Sequence, residues 1–65
     1  MADRVETNTR KIVARFEREG WFSQGGAKHQ KFTHPGKPGE AVIIPRRRDQ
    51  KLGTARSIAK AAGWM

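Results

Sequence analysis

Apolar residues recur at helical spacing between residues 8 and 19. The apolar residues Ile12, Val13 and Phe16 stand at i, i+1 and i+4, and charged residues take other positions of the segment. This spacing predicts an amphipathic helix with one buried face. Thr7 or Asn8 can cap its start, because both side chains accept a hydrogen bond from a free backbone N–H. Gly20 can end it in a left-handed conformation.

Two extended segments follow this helix, and a glycine pair separates them. Residues 21–24 are a short aromatic run that favours a strand. Gly25 and Gly26 allow positive backbone φ angles without steric cost, so they favour a hairpin turn. Residues 28–34 then alternate in character with the period of a strand.

The alternation in residues 28–34 assigns side chains to the two faces of a sheet. Phe32 marks the face toward the core, since it is the large apolar residue of the run. His29 and Lys31 then point to the opposite, open face. His34 lies on the Phe32 side, next to a proline, where we expect it to help terminate the strand.

A third strand and a second helix complete the pattern. Residues 35–39 combine two prolines and two glycines and form a loop, and residues 41–44 are β-branched and apolar enough for a strand. Gly63 can end the second helix, and Trp64 can fold back onto its last turn. The expected buried stripe of that helix has five members: Leu52, Ala55, Ile58, Ala59 and Ala62.

The resulting order is α-β-β-β-α, an α+β fold with a three-stranded antiparallel sheet. Each helix has a single apolar stripe, so we expect both to cover the Phe32 face of the sheet. The same spacings place four aromatic residues in the core: Phe16, Trp21, Phe22 and Phe32. The chain is expected to be a single domain over residues 1–65, with residues 1–7 as a flexible N-terminal extension.

Composition narrows the class of partner. Fourteen Lys and Arg against six Asp and Glu give a formal charge of +8, so anionic partners are expected, with nucleic acid first and an acidic protein second. There is no cysteine, which excludes disulfides and thiolate zinc sites. No apolar run has membrane-spanning length, and the N-terminus has no signal core, so we expect a cytoplasmic protein with no membrane contact.

His29 is the candidate reactive residue, and it lies among glycines and lysines. Imidazole can give or take a proton near neutral pH, and ammonium groups attract phosphate. An exposed histidine on a basic sheet is an equally good interpretation of these residues alone. Two histidines on opposite faces and scattered carboxylates form no metal-ligand set, so we predict no metal and no cofactor.

Five short motifs occur in order along nearly the whole chain, from about residue 7 to residue 63. The first closes the first helix, the next two span the strands, and the last two begin and end the second helix. They are Gly20-Trp21, His29-x-x-Phe32-x-His34-Pro35, Val42-Ile43-Ile44-Pro45, Gly53-Thr54-x-x-x-Ile58 and Ala62-Gly63.

Taken together, these motifs resemble the HicA family, the toxins of HicA–HicB toxin–antitoxin modules. The resemblance implies a fold like that of double-stranded-RNA-binding domains and a metal-independent ribonuclease that cuts messenger RNA. It implies that His29 is the catalytic residue, acting as a general acid or base. It also implies a HicB-like antitoxin partner, with the toxin monomeric alone and part of a hetero-oligomer in the complex.

One position departs from the family pattern. The family commonly reads Gly-Ser-His before the aromatic residue, whereas this chain has Ala27-Lys28-His29. An ammonium group therefore replaces a hydroxyl beside the histidine, and Lys28 could hold a phosphate as a point charge.

The predicted function is a toxin that cleaves messenger RNA through His29. Two other functions stay open: a noncatalytic RNA-binding domain of the same fold, and a basic inhibitor of an acidic protein. The residues predicted to bind RNA are basic and lie on the second strand, the arginine run and the second helix. They are Lys28, Lys31, Arg46, Arg47, Arg48, Lys51, Arg56 and Lys60.

Overall fold

The computed structural model describes residues 5–65. Its elements follow the predicted α-β-β-β-α order, and the three strands form one antiparallel sheet in the order β1-β2-β3. The elements are α1 (Thr9–Arg18), β1 (Phe22–Ser23), β2 (His29–Thr33), β3 (Ala41–Pro45) and α2 (Leu52–Ala61). Residues 1–4 of the predicted N-terminal extension lie outside the described residues. Within the rest of it, the carbonyl oxygen of Thr7 accepts a hydrogen bond from the backbone N–H of Gln50 at 2.7 Å.

Helix α1 begins and ends as its sequence predicts. The Oδ1 atom of Asn8 accepts a hydrogen bond from the backbone N–H of Lys11 at 3.0 Å, which satisfies one of the free donors of the first turn. Gly20 follows the helix with φ of 92°, a conformation that favours glycine. Ile12 and Phe16 are buried, so the apolar stripe faces the sheet as predicted.

The core lies between the two helices and one face of the sheet. Phe32, Val42 and Ile44 supply the sheet side, and each is at most 5% exposed. The helices and the segments beside them contribute Ile12, Phe16, Trp21, Ile58 and Ala62. Both helices therefore cover the Phe32 face, and the opposite face of the sheet is open to solvent.

Two of the residues predicted to be buried are exposed. Phe22 is 59% exposed, because it pairs with Thr33 while its neighbour Ser23 pairs with Phe32. Side chains alternate along a strand, so this register turns Phe22 to the open face. Leu52 is 52% exposed, since it is the first residue of α2 and the buried stripe of that helix begins one turn later, at Ala55.

The sequence predicts that Trp64 folds back onto the last turn of α2, whereas the structure packs its side chain against α1. Its ring centroid lies 5.0 Å from that of Phe16, and the guanidinium of Arg15 lies 4.1 Å from the ring. The indole N–H donates a hydrogen bond of 2.7 Å to Oε1 of Glu19, and Arg15 forms a salt bridge of 3.0 Å with the same carboxylate. The indole hydrogen bond first, and the Arg15 contact second, lower the pKa of Glu19 below its ordinary value.

Between residues 5 and 65, no helix is both long enough and apolar enough to cross a membrane.

Candidate functional site

His29 is the first residue of β2 and pairs with Pro45 of β3. Its side chain is exposed, as the alternation of the strand predicts. It lines a cavity of about 250 Å³, which we call the His29 cavity. The other residues that line it are Pro45, Arg47, Gln50, Lys51 and Thr54.

The His29 cavity combines one imidazole with two cations. Arg47 and Lys51 come from the segment between β3 and α2. Both are exposed, and among the described residues neither forms a salt bridge. These groups can move a proton and neutralise the negative charge of a phosphate within one cavity.

The three consecutive arginines Arg46–Arg48, here called the arginine segment, also line a second and larger space. This arginine cleft has a volume of about 550 Å³. Arg47 lines both the cleft and the His29 cavity. The cleft is lined by the arginine segment together with Asn8, Thr9, Arg10 and Gln30.

A buried glutamine holds the arginine segment in place. Gln50 is 5% exposed, and among residues 5–65 it is the one polar residue that is buried. Its Nε2 donates hydrogen bonds of 2.8 Å to the hydroxyl of Thr9 and of 2.8 Å to the carbonyl oxygen of Pro45. The backbone N–H of Thr9 donates to the carbonyl oxygen of Arg48 at 3.1 Å. These hydrogen bonds connect the start of α1 to both ends of the arginine segment.

The hairpin before β2 fixes the other side of the site. Gly25 and Gly26 have φ of 83° and 117°, as the predicted turn requires. A Cβ atom at Gly26 would overlap the backbone carbonyl oxygen of His29. Arg46 also contacts the turn, because its Nε donates a hydrogen bond of 2.8 Å to the carbonyl oxygen of Gly26. The position of His29 therefore depends on glycine at residue 26.

Four of the predicted RNA-binding residues line neither the His29 cavity nor the arginine cleft: Lys28, Lys31, Arg56 and Lys60. Lys31 pairs with Ile43 and lines a separate cavity of about 250 Å³ near the loop that precedes β3. Arg56 and Lys60 are exposed on α2 and line neither the His29 cavity nor the arginine cleft. Lys28 also lines neither space, but its carbonyl oxygen accepts a hydrogen bond from the backbone N–H of Arg46 at 3.1 Å.

His34 has a structural environment. The backbone N–H of Gly36 donates to Nδ1 at 2.9 Å, so the ring proton lies on Nε2, which donates to the carbonyl oxygen of Glu19 at 2.8 Å. The ring also packs edge-on against Trp21 at 5.2 Å. Both ring nitrogens of His34, the residue that follows β2, are therefore occupied. Its role in terminating the strand stays a prediction.

Seven of the residues that line the two spaces were not predicted from the sequence as site residues: Asn8, Thr9, Arg10, Gln30, Pro45, Gln50 and Thr54. Arg10 looked like one of several solvated cations on the polar face of α1. Gln50 carries no local signal of burial, and one of its partners, Thr9, lies 41 positions earlier in the chain. Thr54 is half-buried in the first turn of α2, and its position in the Gly53-Thr54 motif was the available signal for it.

Within residues 5–65, no three His, Asp or Glu side chains cluster in a way that could hold a metal ion. The candidate site therefore presents an imidazole and cations.

Comparison with known proteins identifies one family. The family model described as the HicA toxin of bacterial toxin–antitoxin systems matches residues 9–64 of the 65-residue chain. No curated protein matches the sequence. The match extends from the first residue of α1 to Trp64. It includes every residue that lines the His29 cavity and, except for Asn8, every residue that lines the arginine cleft.

Proposed function

The chain belongs to the HicA toxin family of toxin–antitoxin systems, and from this membership we propose that it is an endoribonuclease that cleaves messenger RNA without a metal ion. The observation that carries this proposal is the composition of the His29 cavity. One imidazole shares that cavity with Arg47 and Lys51, which are the groups that a metal-independent cleavage of RNA needs.

The proposed reaction uses the RNA's own 2′-hydroxyl as nucleophile. His29 takes the proton of that hydroxyl, and the oxygen attacks the adjacent phosphorus. The bond from phosphorus to the 5′-oxygen then breaks, and the imidazolium returns the proton to the departing oxygen. The products are a 2′,3′-cyclic phosphate and a 5′-hydroxyl, and no water is consumed in this step.

Arg47 and Lys51 would stabilise the transition state of this reaction. The phosphorus acquires a fifth oxygen and extra negative charge on its equatorial oxygens as the 2′-oxygen attacks. Cations held in position before the reaction stabilise that charge without further rearrangement. The arginine segment is held by Gln50, so this part of the cavity is preorganised.

The partner of the toxin is the second part of the proposal. Membership in the family implies an antitoxin, and we propose a HicB-like protein that covers the His29 cavity. Its contact surface would be acidic, since the exposed residues Arg46, Arg47, Arg48 and Lys51 surround that region. We further propose that the toxin acts in the cytoplasm, where messenger RNA is present.

Incubation of the purified protein with a single-stranded RNA in EDTA tests the enzymatic function. We expect cleavage with 2′,3′-cyclic phosphate ends, which mass spectrometry of the fragments detects. Products with 3′-hydroxyl ends would contradict attack by the 2′-hydroxyl. Binding of the RNA without any cleavage would favour the noncatalytic RNA-binding domain instead.

A further inference from the structure

The arginine cleft is a space of about 550 Å³ on the described surface that the proposed reaction does not use. Four arginines line it, three from the arginine segment and one, Arg10, from α1. Among the described residues that line the cleft, none carries a carboxylate. Its volume of about 550 Å³ lies within the range of roughly 300–1,000 Å³ that is usual for ligand sites.

The four guanidinium groups are available to an anion. All four side chains are exposed, and within residues 5–65 none of them forms a salt bridge. Arg46 donates its Nε to the carbonyl oxygen of Gly26, which orients the group and leaves its terminal nitrogens uncommitted. Guanidinium binds phosphate through two parallel hydrogen bonds, so such a cluster is suited to the phosphates of a nucleic acid.

The start of β2 connects this cleft to the His29 cavity. His29 and Gln30 are consecutive, and their side chains point to opposite faces of the strand. One lines the His29 cavity and the other lines the arginine cleft. Arg47 lines both spaces, so a chain of phosphates that crosses the start of β2 meets cations on each side.

We propose that the arginine cleft is an RNA subsite that holds the phosphodiester backbone next to the bond that His29 cleaves, with Arg10 as one of its phosphate ligands. This inference rests on the proposed function, because it assumes that RNA occupies the His29 cavity. The site extends the RNA contact from the segment between β3 and α2 to the start of α1. Gln30 is one of the uncharged residues that line the cleft, and its amide can both donate and accept hydrogen bonds there.

A pair of arginine variants on α1 tests the subsite. Arg10→Ala removes a guanidinium that lines the cleft, and Arg18→Ala removes one eight residues later on the same helix, about 12 Å away along its axis. Arg18 lines a different cavity, beside Trp64. Both substitutions remove one positive charge from an exposed helical position and keep helix propensity high.

The probe is a single-stranded oligoribonucleotide that is 2′-O-methylated throughout, so that it lacks the attacking hydroxyl. We expect Arg10→Ala to weaken binding about tenfold, as for the loss of one charged hydrogen bond. Between about 50 and about 200 mM salt, the slope of log K against log salt should become shallower by about 0.7, the value for one lost phosphate contact on a single strand. Arg18→Ala should keep the wild-type slope.

Equal affinities and equal salt slopes in the two variants would overturn the subsite. With a cleavable RNA, Arg10→Ala should raise KM and leave kcat unchanged, because the contact is made equally in the ground state and the transition state. A fall in kcat with unchanged KM would also contradict a binding role. Failure of the wild-type protein to bind the methylated RNA at about 50 mM salt would instead contradict the proposed function itself.

Discussion

Gln50 donates a hydrogen bond of 2.8 Å to the hydroxyl of Thr9, a residue 41 positions earlier in the chain. The same amide nitrogen donates to the carbonyl oxygen of Pro45 at 2.8 Å, so both of its protons are used. Gln50 is 5% exposed. This buried amide connects the start of α1 to the arginine segment, and it thereby sets the relative position of the His29 cavity and the arginine cleft.

Replacement of this amide should destabilise the protein. Gln50→Leu leaves the Pro45 carbonyl and the Thr9 hydroxyl without their donor, which should lower the free energy of unfolding by about 1–3 kcal/mol. Urea denaturation measures the change. Gln24→Leu is the matched control, because Gln24 is exposed and bonds Thr33 at the surface, and it should change stability by less than about 0.5 kcal/mol. Equal effects would show that Gln50 does not hold the two segments together.

The glycine pair of the hairpin gives a second prediction. Gly26→Ala should destabilise the protein by about 1–3 kcal/mol and lower cleavage, because the new Cβ would displace the backbone of His29. Gly25 also has a positive φ, but a Cβ atom there would meet open space. Gly25→Ala should therefore lower the free energy of unfolding by about 1 kcal/mol and leave cleavage intact. Thermal unfolding and cleavage rates compare the two. Loss of cleavage in both variants, or in neither, would contradict a specific contact with His29.

Glu19 gives a pH-dependent prediction. Its pKa is lowered below the ordinary value of 4.5 by the Trp64 hydrogen bond and by Arg15. A carboxyl group whose pKa is lower in the folded state than in the unfolded state stabilises the protein at pH values above its unfolded-state pKa. That stabilisation is lost as the pH falls through the folded-state pKa. Wild-type stability should therefore decrease as the pH falls below about 4.5, and part of this decrease should be absent in Glu19→Gln. Unfolding curves from about pH 7 to about pH 3 measure the difference, and parallel curves for the two proteins would contradict it.

Two lysines predicted from the sequence to bind RNA should differ in their effect on catalysis. Lys51 lines the His29 cavity and Lys60 does not. Lys51→Ala should lower kcat by about 10²-fold, since it removes a cation that stabilises transition-state charge. Lys60→Ala removes the same charge from an exposed position on α2 and should leave kcat within about twofold, as expected for a cation outside the site. Similar kcat values in the two variants would indicate that only the overall charge of the protein matters.

The sequence predicts the fold well because its signals are local. The alternation in residues 28–34 correctly places Phe32 in the core and His29 on the exposed side. Asn8, Gly20 and the hairpin glycines act through their own backbone, so their roles can be inferred from neighbouring residues. Phe22 was assigned wrongly because β1 has only two residues, and its face depends on its pairing with β2.

The candidate site is less predictable because it is assembled from distant segments. The burial of Gln50 follows from contacts with Thr9 and Pro45, which no local pattern encodes. Arg10 resembles the other cations of α1 until the fold places it beside the arginine segment. Charge density predicts a basic surface, but it does not separate Arg47 and Lys51, which line the His29 cavity, from Lys31, Arg56 and Lys60, which do not.

The rate of RNA cleavage in EDTA by His29→Ala, measured beside His34→Ala, tests the central claim most directly. We predict that His29→Ala binds the RNA and unfolds like the wild type but has no detectable cleavage, because the proton acceptor is gone. His34→Ala should be less stable by about 1–3 kcal/mol, since it loses the contacts to Glu19 and Gly36, and should still cleave RNA at a temperature where it is folded. Wild-type cleavage by a folded His29→Ala would contradict the account.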